Sequence, residues 1–288
     1  MKISLITVCF KSAGTLRTAM ESVLEQKDVE LDYIVVDGGS DDGTVELLKE
    51  YEAKFAGRMR WISEKDRGMY DAINKGIKMA TGDVVGILNA DDILAADNTL
   101  ATIAEVFSRK ERKGRKEEGC GEAARSEVEC VYADIRFVKS GDSVEELRNA
   151  KTVRYCSAAR WRPWMFRFAA MVPHPSFYVR RECFERLGDY SLDYRICADF
   201  ELVLRFLGIA KLSAAYLPEC VVLMRMGGAS TAGWRSNVEI NREDLRALRS
   251  HGIWSCLPLI YMKYLFKIWG FVFKRGLRLV DGGRRLGY

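Results

Sequence analysis

Histidine is almost absent from this chain. Only His174 and His251 occur in 288 residues, and neither has a metal-ligand partner nearby in sequence. The eight cysteines form no CxxC pair and no Cys/His cluster. A zinc centre and a disulfide framework are therefore both disfavoured. Cys9, Cys183, Cys197 and Cys220 sit among apolar residues, where thiols behave as small hydrophobes. This pattern points to a reducing, cytoplasmic setting. The chain has no GxGxxG, because Gly38-Gly39-Ser40-Asp41-Asp42-Gly43 puts serine in the second glycine's place, and it has no GxxxxGK[ST]. A dinucleotide oxidoreductase and a P-loop NTPase are disfavoured accordingly. No Sec-type signal peptide is expected, since Met1-Lys2 runs straight into the strand-like Ile3–Val8. Strong charge is missing from most of the chain. From His251 onward seven Lys and Arg face Asp281 alone, a local charge of +6, which leaves −1 for the first 250 residues. Nucleic acid is thus a poor partner for the protein as a whole. With 48% hydrophobic and 30% charged residues, the composition is that of a folded globular protein: one large domain, or one domain and an appendage.

The most informative feature present is Asp91-Asp92, which follows the apolar run Val84-Val85-Gly86-Ile87-Leu88. Such a run reads as a buried strand. Two like charges at its end repel, and a divalent cation removes that penalty. Mg²⁺ or Mn²⁺ held by one or two carboxylates, with substrate phosphates and water completing the shell, is a common arrangement at phosphate sites. Taken alone, the pair also fits a solvated surface turn.

The first hundred residues alternate between two periods. Ile3–Val8, Tyr33–Val36, Met59–Ile62 and Val84–Leu88 read as strands. Between them, helical faces are carried by Leu16–Leu24, with Thr15 as N-cap, by Val45–Tyr51 and by Tyr70–Ala80. Alternation of this kind predicts a parallel sheet with right-handed crossovers. Asp37, Asp66 and Asp91-Asp92 all fall at or just after strand carboxyl ends, the edge where open α/β sheets bind ligands. A helix over 98–107 follows, then a charged stretch, 108–129, read as a surface insertion. The strand Cys130–Val138 resumes the fold. The aromatic segment Arg160–Met171 fits either core packing or an acceptor-facing wall.

These residues resemble family 2 glycosyltransferases with a GT-A fold, of the bacterial polysaccharide-synthesis kind. The resemblance covers roughly residues 1 to 230. It rests on Ile6–Phe10, Val35–Thr44, Glu64–Gly76, Asn89-Ala90-Asp91-Asp92, His174-Pro175-Ser176-Phe177 and Ala198–Leu202, in that order. It implies an α/β GT-A catalytic domain over 1–232, with a nucleotide-binding half at 1–107 and an acceptor half at 130–232. A helical, basic and aromatic extension would follow over 233–288. It also implies an inverting transfer from a nucleotide-sugar, UDP-linked by preference with GDP and dTDP open, to a saccharide or lipid-diphosphate-linked acceptor. Thr7 and Asp37 would hold the nucleotide. Asp66 and Arg67 would border the same pocket, with Arg67 near the diphosphate. Asp71 and Asn74 share a helix face and would meet nucleotide or donor sugar; Asp71 also fits a first-turn acid favoured by the helix dipole. Asn89-Ala90-Asp91-Asp92 stands where the family has a DXD-type motif, with Asn89 in place of its first acid. Asp91 would contact ribose or metal, and Asp92 would join the metal shell. Asp199 matches the family's catalytic base, and its bland alternative is a helix cap. His174 would line the acceptor or diphosphate side, or be structural.

The segment Ile253–Val280 interleaves aromatics with Lys263, Lys267, Lys274, Arg275 and Arg278. Pro258 and the internal lysines speak against a simple spanning helix. The segment reads as an interfacial element drawn to anionic lipid on the inner membrane face, in preference to an oligomer contact or a packed helix. Met226-Gly227-Gly228-Ala229-Ser230 resembles the family's closing loop. Two competing readings are a catalytically inactive GT-A module that assists assembly and a nucleotidyltransferase. Asp91, Asp92 and Asp199 are all present, which disfavours the first. The absence of a glycine- and basic-rich loop after the first strand disfavours the second.

Overall fold

The computed structural model describes residues 1–109, 127–139, 141–226 and 233–263. Most of the charged insertion (110–126), residues 227–230 of the glycine loop and the tail beyond Lys263 lie outside the described residues. The first half runs β1 (Lys2–Cys9), α1 (Leu16–Leu24), β2 (Glu30–Asp37), α2 (Thr44–Lys54), β3 (Met59–Ser63), α3 (Met69–Met79) and β4 (Val84–Ile87). β5 (Ile93–Leu94), α4 (Thr99–Ser108), β6 (Cys130–Val138), α5 (Val144–Asn149) and β7 (Thr152–Cys156) follow. Two 3₁₀ turns, Pro163–Phe168 and His174–Ser176, lead to β8 (Tyr178–Arg180) and α6 (Arg181–Leu187). Then come α7 (Ala198–Val203), a π-helical continuation over Leu204–Ile209, β9 (Ala214–Arg225) and α8 (Gly233–Ser250), and the described part closes on helical residues 257–263.

The nine strands form one sheet in the order β3-β2-β1-β4-β8-β6-β9-β5, with β7 added on β6. Its long ladders are parallel: β1 with β2, β2 with β3, β1 with β4, and β6 with β9. The shorter antiparallel pairings of β8, β5 and β7 complete it. Strand periodicity divides the core between the two faces. Ile6, Val8, Ile34, Val36, Val85 and Ile87 pack with α3 residues Ile73 and Ile77 and with Phe200, Leu202 and Leu248. Leu5, Tyr33, Val35 and Val84 pack on the other face with Leu16, Met20, Leu48 and Ile103. Sequence order turns back between β1 and β4, so the crevice at that switch point opens at the carboxyl ends of both strands.

Thr15 begins α1 but its side chain makes no capping hydrogen bond, contrary to the sequence expectation. α8 belongs to the same packed body as the sheet, since Ala247 and Leu248 are fully buried in the core that holds Phe200.

The join between the parallel half and the second half is tight at one point. A Cβ on Gly86 of β4 would lie 2.1 Å from the ring of Tyr178 on β8. Gly86→Ala is expected to destabilise the fold by about 2 kcal/mol through overpacking, measured as a fall in the urea midpoint. A midpoint equal to wild type would show that the ring moves freely.

Candidate active site

Parallel register builds the first wall of the site. Cys9, Asp37 and Ser63 are in one row across β1, β2 and β3. Asp37 is fully buried, yet its carboxylate accepts from the Ser63 hydroxyl (2.6 Å), the Ser40 hydroxyl, and the Gly39 and Ser40 backbone N–H groups (3.1 and 2.9 Å). The Cys9 thiol donates to the same carboxylate at 3.7 Å. Burial opposes its charge, but these hydrogen bonds outweigh burial and hold the carboxyl below the usual aspartate range.

Gly38 follows because nothing larger fits. A Cβ there would be 2.7 Å from Asp66 Oδ2 and 3.2 Å from the Phe10 ring. Asp66 Oδ1 accepts from the Gly68 N–H at 2.8 Å. Phe10, at the end of β1, leaves 59% of its surface in solvent beside these two carboxylates. An aromatic face at the mouth of a polar pocket suits stacking on a planar ring. Sequence reasoning gave it no role, although its place at a strand's carboxyl end was a readable signal. Thr7 is fully buried and its hydroxyl accepts from the Tyr33 hydroxyl at 3.1 Å. Its hydroxyl is thus committed to the core.

The second wall is the loop after β4. Asp92 is 1% exposed, and its carboxylate accepts from the Asn89 side-chain amide at 2.8 Å. Burial, then the neighbouring charge of Asp91, push its carboxyl up to about 8. Asp91 is half-buried and has no hydrogen-bond or ion-pair partner among the described residues. Asp92 is turned inward as a loop fastener, and Asp91 is the carboxylate left open. An unpartnered carboxylate backed by a second one fits a divalent cation whose remaining ligands come from phosphate and water. Among the described residues, no three His, Cys, Asp or Glu side chains converge on a metal position.

Helix α3 links these walls to the second half. At its start the Asp71 carboxylate accepts from the Arg67 backbone N–H (3.0 Å) and guanidinium (3.4 Å). Those hydrogen bonds, the backbone one first, hold Asp71 below its ordinary value. The Arg67 side chain is 79% exposed while paired with Asp71. One turn on, Tyr70 and Asn74 share the opposite role. The Asn74 amide donates to the Tyr190 carbonyl (2.8 Å) and its oxygen accepts from the Tyr190 N–H (2.9 Å). Asn74 therefore clamps backbone, committing one N–H and one lone pair of its oxygen to Tyr190. The Tyr70 hydroxyl bonds the Ile196 carbonyl and lies 3.3 Å from Asp199 Oδ1.

Asp199 sits in the first turn of α7, half-buried. The Phe200 N–H donates to its Oδ1 at 2.7 Å. Burial pushes the carboxyl up to about 6, against the hydrogen bonds from Phe200 and Tyr70. Tyr70 and Tyr190 stack beside it, their centroids 5.7 Å apart. His174 Nε2 meets the Tyr190 hydroxyl at 2.6 Å, and burial lowers its pKa to about 4, so the ring is neutral at pH 7. His174 is thereby placed behind Tyr190, as a support for the wall.

A carboxylate with a depressed pKa contributes stability above its unfolded pKa and loses it as pH falls through the folded value. Asp37→Asn should destabilise by roughly 1–3 kcal/mol at pH 7, because an amide presents a donor to donors. Urea midpoints at pH 7 and pH 3 check this. The gap from wild type should narrow at pH 3, and a gap independent of pH would assign the loss to shape alone.

A profile of the family described as "Glycosyl transferase family 2" matches residues 4–114. An uncharacterised glycosyltransferase of Mycobacterium tuberculosis is 31% identical over 206 residues, covering 70% of this chain and 68% of the relative. A PGL/p-HBAD biosynthesis glycosyltransferase of Mycobacterium bovis is 26% identical over 245 residues, 85% of this chain and 83% of the relative. Among solved structures, the mannosyltransferase PcManGT of Pyrobaculum calidifontis, in complex with GDP-Man and Mn²⁺, superposes with a TM-score of 0.58 at 18% identity, covering 99% of this chain and 76% of that one. S. aureus TarS in complex with UDP-GlcNAc gives a TM-score of 0.59 at 15% identity over 86% of this chain, which spans 66% of the TarS chain. These likenesses carry the fold, the GT-A arrangement.

Proposed function

The chain belongs to glycosyl transferase family 2, and from that premise we propose that it moves a sugar from a nucleoside-diphosphate donor to an acceptor hydroxyl by single displacement with inversion. The observation that carries this reading is the pairing of two unlike carboxylate environments across α3. Asp37 is held charged by hydrogen bonds, while Asp199 has its pKa lifted by burial toward the working range of a base.

The nucleoside occupies the edge formed by Phe10, Asp37 and Asp66. Phe10 stacks on the base, Asp66 accepts from base N–H or ribose hydroxyl groups, and Asp37 holds the loop 38–40 that shapes this edge. Arg67, exposed at the start of α3, meets the diphosphate as a bidentate donor. Asp91 holds Mg²⁺ or Mn²⁺ there, with Asp92 fixing the loop from behind. A bound cation supplies Lewis-acid stabilisation of charge on the leaving diphosphate. With Oδ1 of Asp199 held by Tyr70 and Phe200, Oδ2 receives the acceptor proton as the acceptor oxygen attacks the anomeric carbon. A UDP-linked donor is favoured. A lipid-diphosphate-linked saccharide is the acceptor class that suits a basic, aromatic tail on the inner membrane surface. Support for that surface is the exposure of Trp254 (69%) and Trp164 (62%). Their segments are joined where the Ser255 hydroxyl donates to the Arg167 carbonyl at 2.7 Å. Among the described residues, no helix is long and apolar enough to cross a membrane.

Nucleotide-sugars screened by thermal shift with Mn²⁺ should raise Tm, since ligand at 100 times Kd adds about 2.7 kcal/mol. Asp91→Asn should lose the Mn²⁺-dependent part; a rise that survives intact would remove Asp91 from the cation site. Asp199→Asn should lower turnover by roughly 10² or more with donor affinity nearly unchanged. Wild-type turnover should fall as pH drops below about 6, where Asp199 takes up its proton. Full activity in the Asn variant would end the base assignment. Deletion of the residues after His251 should move the protein from membrane to supernatant on fractionation, and unchanged partitioning would count against the tail.

A further inference from the structure

α7 opens without a cap of its own. Its N-cap position is Cys197, whose side chain makes no capping bond, so the backbone N–H groups leading into the helix need an acceptor from elsewhere. That acceptor is one carboxylate from α8. Glu243 Oε1 accepts from the Arg195 N–H at 3.0 Å, and Oε2 accepts from the Ile196 and Cys197 N–H groups, both at 2.9 Å. The rest of the same α8 face grips the same segment. The Cys197 thiol donates to the Ile240 carbonyl at 3.5 Å. The Arg246 guanidinium bonds the Asp193 carbonyl and covers the Tyr194 ring at 4.5 Å. The Tyr194 and Ser250 hydroxyls meet at 3.2 Å. Ile240, Glu243, Arg246 or Ala247, and Ser250 follow helical spacing, so one stripe of α8 is a mould for residues 193–197.

We propose that Glu243 is a positioning residue for the transfer reaction, holding the turn 195–197 so that Asp199, two residues on, faces the acceptor. The inference rests on Asp199 being the base. Charge-assisted bonds to three consecutive amides fix the turn more firmly than a neutral cap would. Glu243 also acts on Asp199 through space, since its negative charge disfavours ionisation of the nearby carboxyl. The other titratable groups around Asp199 are Tyr70 from α3, Tyr190 with His174 behind it, Cys197 on its own turn, and Asp244 of α8, which is paired with Lys263 at 2.8 Å.

The test uses the full chain carrying Glu243→Ala or Glu243→Gln. The first readout is nucleoside diphosphate release from UDP-N-acetylglucosamine and GDP-mannose. The second is a ¹³C-carboxyl NMR titration of Asp199, assigned by the signal missing from Asp199→Asn, which needs no substrate. Glu243→Ala should lower kcat by about 10-fold or more with the donor KM within about twofold, as expected when a group serves the transition state alone. Glu243→Gln keeps one oxygen acceptor and should recover part of kcat. With the negative charge gone, the Asp199 midpoint should fall in the Gln variant, by less than burial raises it. If either variant is folded and the Asp199 midpoint is unmoved in it, the proposal fails. It fails equally if kcat is retained while only Tm drops, which would leave Glu243 a purely structural cap. If Asp199→Asn itself keeps full turnover, the base assignment falls first, and the Glu243 variants then report on the fold alone.

Discussion

Everything at this site depends on keeping several carboxylates together at one sheet edge. Like charges a few ångströms apart repel strongly where water is scarce. Neutral donors meet most of them, with Arg67 on Asp71 and Arg225 near Asp92 as the charged partners. The chain surrounds Asp37 with serine hydroxyls and backbone N–H groups, gives Asp66 the Gly68 N–H, Asp92 the Asn89 amide, and Asp199 a tyrosine hydroxyl and the Phe200 N–H. Neutral donors stabilise a carboxylate without saturating the field of the crevice. The edge therefore stays able to take in cations and hydroxyl-bearing ligands, while Asp91 remains the carboxylate with no internal partner among the described residues.

The second dependence is mechanical. Tyr70 and Asn74 sit one turn apart on α3, directly after Asp66 and Arg67, and both reach the segment 190–199. The helix is thus fastened to β1 and β2 on one side and to the turn that carries Asp199 on the other. α8 grips that turn from outside. Asp199 is placed by two helices distant in sequence, which explains how a short, uncapped helix can carry a residue whose position has to be fixed.

Local patterns in the sequence were enough to recover the sheet's first half. Alternation in β1 and β2, the apolar β4 and the helical faces of α1 to α3 are set by near neighbours, and β6 ran over Cys130–Val138 as read. The carboxylates at strand ends were legible for the same reason. What could not be read depends on partners far along the chain. Asn74 meets Tyr190 across 116 residues, a contact that its sequence neighbours do not show. The inward turn of Asp92 and the outward one of Asp91 are a matter of loop geometry that two adjacent aspartates do not encode. Glu243 was invisible because its partners are backbone amides, which leave no trace in side-chain identity. The short α5 and β7 went unread because each is too brief to show a period.

The cysteines beside this machinery have a consequence for its chemical durability. Cys9 lies against Asp37 and Cys197 two residues before Asp199, positions where a reactive thiol would expose the protein to alkylation or oxidation. Burial, and after it the neighbouring carboxylates, push both thiols far up from their ordinary values. The thiolate is the reactive form, so both sulfurs stay protonated and poorly nucleophilic. The same crowd of negative charge that prepares the crevice for its ligands shields its two nearest sulfurs from electrophiles.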